Sequence, residues 1–324
     1  MTRTAATTLP PAAPRAPWHA LSPAWQGWLL GALGVAIFAL SIPMTRLASG
    51  SLAAPQLPAV FVAIGRAALA GLLAALWLLA VRAPRPRPAQ WRGLAQTALG
   101  VVFGWPLFIG WAVQRVDAAH ASVVSGLLPI ATASLGAWLL GQRPSRGFWA
   151  CAALGTALVL GFAAWKGGAL PQPADGLLLV AVAWGAFGYV RGAQMSAAAQ
   201  ADGGAPMAPE QVISWVLVLS LPVTLPVALW HWPTAPVRLA AWGGFLYVSV
   251  FSMWLGFFAW YRALAIGGTV RISQVQLLQP FLSMWLAVPV LGERLDAATV
   301  AFSLAVMATV FLSRRMAVEP DPRA

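Results

Sequence analysis

AAHASVVSGLLPIATASLGAWLLGQR, running from Ala118 to Arg143, is answered by TVRISQVQLLQPFLSMWLAVPVLGER from Thr269 to Arg294. A shift of 151 positions sets Pro129 on Pro280, Gly141 on Gly292 and Arg143 on Arg294, and it extends the match back to Trp91 and Trp242. In so apolar a chain, a repeat of this length reads as one half-structure duplicated inside a bilayer.

The composition supports that reading. Of 324 residues, 60% are hydrophobic and 9% charged, with a mean hydropathy of +0.76. A soluble domain carries about a quarter charged residues, so the outside of this protein must face lipid. The net charge of +12 does not indicate nucleic acid, because the arginines are scattered between apolar runs, as in membrane loops. Cys151 is the only cysteine, and His19, His120 and His231 lie far apart, so no metal-ligand spacing exists. Lys166 is the only lysine and is followed by Gly167, which excludes a Walker-type phosphate loop. No two glycines stand two apart, so G-x-G-x-x-G is missing, and so is G-x-S-x-G. The sequence implies no cofactor.

Apolar stretches of membrane-crossing length follow a Pro- and Ala-rich tail, residues 1–24. The first set is predicted over Trp25–Leu47, Pro58–Val81, Gly93–Val113, Ala118–Leu140 and Phe148–Ala164. The second set covers Gly176–Val190, Gln211–Leu229, Leu239–Leu264, Val270–Leu291 and Ala297–Phe311. Two repeats are thereby expected, residues 25–165 and 176–313, with a linker at 166–175 and a tail at 314–324. The basic start of the first span permits a cleaved signal peptide, but the repeat needs that span, since Gly27 and Arg66 align with Gly176 and Trp215 at a shift of 149. With both termini cytoplasmic, fourteen basic residues fall inside and five outside.

Five is an odd number of spans. Two five-helix copies in series therefore lie in opposite orientations, related by an axis in the membrane plane, which is the geometry of alternating access. The predicted fold class is an all-α membrane protein: ten transmembrane helices as two inverted repeats around a central cavity.

The G-Q-R and G-E-R ends at Gly141–Arg143 and Gly292–Arg294, each a dozen residues after a proline, resemble the drug/metabolite transporter superfamily. Within it, the chain is similar to EamA-type members with two five-helix halves. The resemblance runs from about Trp25 to Arg315 and implies a basket-like bundle exporting small metabolites across a bacterial inner membrane. Gln142 departs from the pattern, where Glu would stand.

Candidate site residues follow from helical spacing. Ser122, Ser125, Pro129 and Thr132 share one face of the fourth span, as do Ser273, Gln276, Pro280 and Ser283 on the ninth. Such faces line a wet cavity or let helices pack closely. Pro129 and Pro280 are expected to kink their helices and free a carbonyl each. Trp105, Phe108, Trp184, Trp254, Phe257 and Tyr261 either line a pocket or serve as ordinary interfacial aromatics.

Arg66 lies eight residues past Pro58, roughly 12 Å along a helix. At that depth it binds an anion, caps carbonyls or snorkels outward. His120 and its partner Arg271 stand at helix ends, as gate or anchor. All eight acidic residues lie in loops, tails or helix ends. Efflux driven by a buried carboxylate is thus disfavoured, and the expected solutes are neutral, zwitterionic or anionic, such as amino acids, moved by exchange or through His120 or Glu293. The alternative is an intramembrane enzyme or an accessory membrane protein, but no convergent acid, base or metal groups support an enzyme. Solute and lipid are the expected partners, with a monomer favoured.

Overall fold

The computed structural model describes residues 21–50, 54–113, 115, 121, 124–167, 173–197, 206–291, 297–313, 315–316 and 318–320. Almost all of these are helical. Among the described residues, six helical stretches are long and apolar enough to cross a membrane: Pro23–Ser49, Phe61–Ala80, Pro88–Ala112, Ala174–Ser196, Pro209–Trp230 and Leu239–Gly267. Shorter apolar helices cover Ser125–Leu139, Arg146–Phe162 and Val300–Leu312. A further helical stretch runs in three pieces from Thr269 to Leu291. Large apolar side chains such as Leu79, Trp138, Trp230 and Leu239 are exposed, as a lipid-facing surface requires.

The packing exchanges the lead helices of the two halves. Helix Pro23–Ala39 packs on Gly256–Gly267 and Gln279–Leu291 of the second half, while Pro173–Ala197 packs on Trp105–Val113 and Leu128–Leu139 of the first. Arg66–Ala80 pairs with Pro209–Trp230, and Arg146–Gly167 with Ala297–Ser313. Swapping the halves leaves this pattern of neighbours unchanged.

Lipid gives little hydrophobic reward for helix association, so close backbone approach must supply it. A Cβ on Gly27 would lie 2.9 Å from Cα of Gly267, and one on Gly100 would lie 2.5 Å from Cα of Gly188. Both contacts join one half to the other.

Four features differ from the sequence expectation, each for a physical reason. The first span is broken at Leu40 into Pro23–Ala39 and Ser41–Ser49, because Pro43 has no N–H to return to Ala39. The sixth runs past Val190 to Ala197. There hydropathy drops at Arg191, but its guanidinium is held inside by Gln194 Oε1 (2.8 Å) and the Phe187 ring (5.5 Å). Pro129 and Pro280 do not kink helix interiors. Each occupies the first turn of a new α-segment, just after a 3-10 stretch at Ser125–Leu127 or Gln274–Leu278, where a missing N–H costs nothing.

The fourth difference is a small strand ladder in an otherwise helical chain. β1 (Gln142–Pro144) pairs antiparallel with β2 (Val318–Pro320), so part of the expected C-terminal tail lies on the turn after the fourth span. Gln142 itself accepts from the Val270 N–H at 3.4 Å, tying that turn to the start of the ninth span. Gly268, at φ +84°, makes the abrupt turn between Gly256–Gly267 and Thr269, a conformation side chains oppose. Ser145 caps the helix that follows it, accepting from Phe148 N–H at 3.2 Å.

Regular α-geometry also fails at matching places in the third and eighth spans. Wide, π-helical turns occupy Leu99–Gly104 and Val248–Leu255 and end at repeat-equivalent positions. Pro106 lacks the N–H that would continue the ladder, which accounts for the first of them.

Gly100→Val should lower the thermal midpoint of detergent-solubilised protein, at a cost of about 1–3 kcal/mol or more, because the facing atoms are backbone. Gly161→Ala, with nothing within 4 Å of its Cβ, should be neutral or slightly stabilising. Equal midpoints would show that the Gly100–Gly188 approach is not required.

Candidate functional site

A funnel enters the bundle beside the Gly50–Pro55 bridge. Its outer part, about 310 Å³, is lined by Thr45, Arg46, Gln56, Pro58, Ala63 and Gly110 among others, and the exposed Pro55 and Pro58 mark a mouth at the surface. A deeper chamber of about 60 Å³ continues it, sharing Thr45, Arg46, Arg66, Trp105 and Ile109 and adding Phe38, Tyr189 and Phe257. Beyond Ile42 and Gln279 lies a space of about 10 Å³ between Ser125, Leu128, Gln276, Gln279, Pro280 and Ser283. In that last space Ser125 meets its repeat equivalent Gln276, and Leu128 meets Gln279.

Local sequence explains how the polar groups get there. The break at Leu40 turns Ser41 toward the eighth span, whose π-helical turn presents Ser252; the two Oγ atoms are 2.6 Å apart. Arg66 begins the regular helix after the wide turn Phe61–Gly65. Its Nη2 donates to Ser252 Oγ at 3.2 Å, while Nε is buried without a hydrogen-bond partner. Gln276 has both amide atoms buried and unpaired. It faces Tyr189 but closes no hydrogen bond of good geometry with it. Among the described residues no acidic side chain lines these spaces, and no three His, Cys, Asp or Glu side chains converge as a metal site.

The opposite face is packed shut. Tyr261 is fully buried against Gly192, its hydroxyl donating to Gly188 O at 3.4 Å. Trp260 is fully buried between Phe38 and Tyr189. Met195 covers Gly93, and Gln194 reaches Leu139 O at 3.5 Å.

Of the residues singled out in the sequence, Arg66, Trp105, Ser125, Phe257, Gln276, Pro280 and Ser283 line these spaces. Trp184 lies against Gly104, and Phe108 packs edge-on with Trp111 outside the walls of the funnel. Trp254 is buried beneath Trp77 and Phe258, its Nε1–H donating to Ser214 Oγ at 2.9 Å. Ser273 is buried and donates to Val270 O at 2.7 Å. Pro129 is buried in its helix start, and Arg271 has a buried Nε without a partner. Ser122 and His120 lie outside the described residues.

The sequence reading missed Phe38, Ser41, Arg46, Tyr189 and Ser252. Ser41 and Ser252 are hydroxyls inside apolar spans, a usable signal. However, the repeat pairs Ser252 with Val101 and gives no hint. Arg46 stands at the end of the first predicted span, where it reads as one of the five outer charges.

Comparison with known proteins agrees with this architecture. The EamA-like transporter family matches residues 25–164 and again 176–315. The chain is 41% identical over 294 residues to YdeK, an uncharacterized transporter of Bacillus subtilis (strain 168), covering 90% of this chain and 98% of that one. It is 25% identical over 269 residues to sll0355, an uncharacterized transporter of Synechocystis sp., covering 75% and 78%. A solved crystal structure superposes with TM-score 0.70 at 18% identity over 91% of this chain and 99% of the other, a likeness of fold.

Because Trp254 packs away from the funnel, a double-mutant cycle of Trp254→Phe and Ser214→Ala should give a coupling of about 0.5–1.5 kcal/mol in stability. Solute affinity should not change. Affinity lost at unchanged stability would return Trp254 to the solute path.

Proposed function

The chain belongs to the EamA-like transporter family, and on that premise we propose that it exports small metabolites across a bacterial inner membrane by alternating access. In this reading ten spans form two inverted five-helix repeats, both termini are cytoplasmic, and the funnel faces outward. The solutes are neutral, zwitterionic or anionic compounds such as amino acids.

One observation carries the proposal. Thr45, Arg46, Ile109 and Gly110 line the open face. Shifts of 149 and 151 map them onto Gln194, Met195, Trp260 and Tyr261, which are the residues packed on the closed face. Where the open side carries Gly110, the closed side carries Tyr261 as its plug. A rearrangement that exchanged the conformations of the two halves would close the funnel and unseat Tyr261, presenting the same chamber to the other side. The paired 3-10 and π-helical stretches supply backbone that is already irregular at equivalent places, where bending costs least.

The absence of a carboxylate from the described cavity walls supports facilitated exchange, or coupling through end-located groups such as His120 and Glu293. Direction of flux follows from the metabolite gradient in the first case.

In a Cys151→Ser background, Ala63→Cys should react with a membrane-impermeant maleimide from the periplasmic side. Transported solute should slow that reaction and speed cytoplasmic-side labelling of Tyr261→Cys. Labelling of Ala63→Cys only from the cytoplasm, or no response of either site to any of a panel of amino acids, nucleobases and organic acids, would overturn the proposal.

A further inference from the structure

We infer that the funnel is a receptor for small organic carboxylates, with Arg66 as the deep anchor and Arg46 as the cation at the entrance. The inference rests on the transport reading only in placing the funnel on the solute path.

Positive charge without an acidic partner carries the argument. A guanidinium can only donate. Arg66 donates to Ser252 Oγ, and Ser252 shares a 2.6 Å hydrogen bond with Ser41 in which either hydroxyl can donate. Ser41 lines the chamber, so Arg66 holds a hydroxyl pair at its wall. The Arg66 Nε–H is buried and unused, and Arg46 lines both parts of the funnel. Both charged side chains at this level are cations, and no acidic side chain among the described residues answers them.

A cation buried without a counter-charge is expensive. An arriving anion removes that cost, and a carboxylate accepts two parallel N–H groups of a guanidinium fork. A cation or the ammonium of a zwitterion meets only repulsion here, which narrows the solutes of the transport reading to the anionic class and sets amino acids aside. The apolar part of the occupant is set by Phe38, Trp105, Tyr189 and Phe257, which enclose the deep chamber. An aromatic or aliphatic body stacked there, with its carboxylate turned to Arg66, satisfies both halves of the wall. Arg46 is half-buried on the Ser41–Ser49 helix. Its position at the mouth draws anions inward through a low-dielectric funnel.

The test uses full-length protein in nanodiscs and equilibrium dialysis of radiolabelled phenylacetate at pH 7. Phenylacetamide, 2-phenylethylamine, phenylalanine and inorganic phosphate serve as competitors. Phenylacetate is expected to bind saturably, and each of the four should compete at least about tenfold more weakly. Arg66→Gln should abolish binding and Arg66→Lys weaken it, since a point charge lacks the fork. Ser41→Ala should weaken it several-fold without loss of fold, and Arg46→Gln should flatten its salt dependence.

Equal competition by the amine or amide, wild-type affinity in Arg66→Gln, or no saturable binding of carboxylates from acetate to indole-3-acetate would overturn the inference. Carboxylate binding without flux in liposomes would sink the transport reading and leave the anion site standing. Flux of amines that carboxylates do not inhibit would do the reverse.

Discussion

Two close backbone contacts, Gly27 with Gly267 and Gly100 with Gly188, join the halves of this protein. In water an apolar seam would do the same work by burial, but in lipid the surroundings are as apolar as the seam, and only dispersion at short range remains. Glycine is the residue that permits that range. The consequence reaches the site, because Gly188 accepts the Tyr261 hydroxyl at its carbonyl and lies one turn from Gly192, where Tyr261 is seated. Close packing on one face and a funnel on the other are therefore two results of a single crossing.

Irregular backbone is the second structural theme. Inside a membrane, wide or tight turns persist only where protein or a cavity satisfies the freed carbonyls. Here they sit beside the chamber. The π-helical turn Val248–Leu255 presents Ser252, the turn Phe61–Gly65 precedes Arg66, and the 3-10 stretches lead into Pro129 and Pro280 around the innermost space. These irregularities fix where side chains point, and without them Ser252 would not meet both Ser41 and Arg66.

Much of the frame was legible in the sequence, because duplication and hydropathy are long-range signals that survive local error. The positions of Ser125 and Gln276 on the inward sides of their spans follow from helical spacing, whereas depth and chemistry alone leave Arg66 and Trp105 between inward and outward placements. Trp254 and Tyr261 show the limit of that reasoning. Both have the right chemistry and spacing to line a pocket, but whether an aromatic faces a void or fills it depends on the opposing helix. Gly192 beneath Tyr261 and Ser214 beside Trp254 come from other spans, and no periodicity within one helix reports them. The break at Leu40 likewise needed the geometry, since Pro43 could equally have been tolerated in a straight apolar helix with a local adjustment.

The repeat also has a place where it must fail. Arg66 has Trp215 as its equivalent, an indole whose Nε1–H is buried without a partner and whose ring meets Trp91 edge-on. A second arginine there would double the cost of holding a charge deep in the bilayer. Duplication can therefore supply the moving frame, in which both halves need the same hinges and the same close crossings. Recognition needs charge at one end of the solute and apolar walls around the rest, so it cannot be duplicated. In such a protein the residues that decide what is carried are those where the two copies disagree.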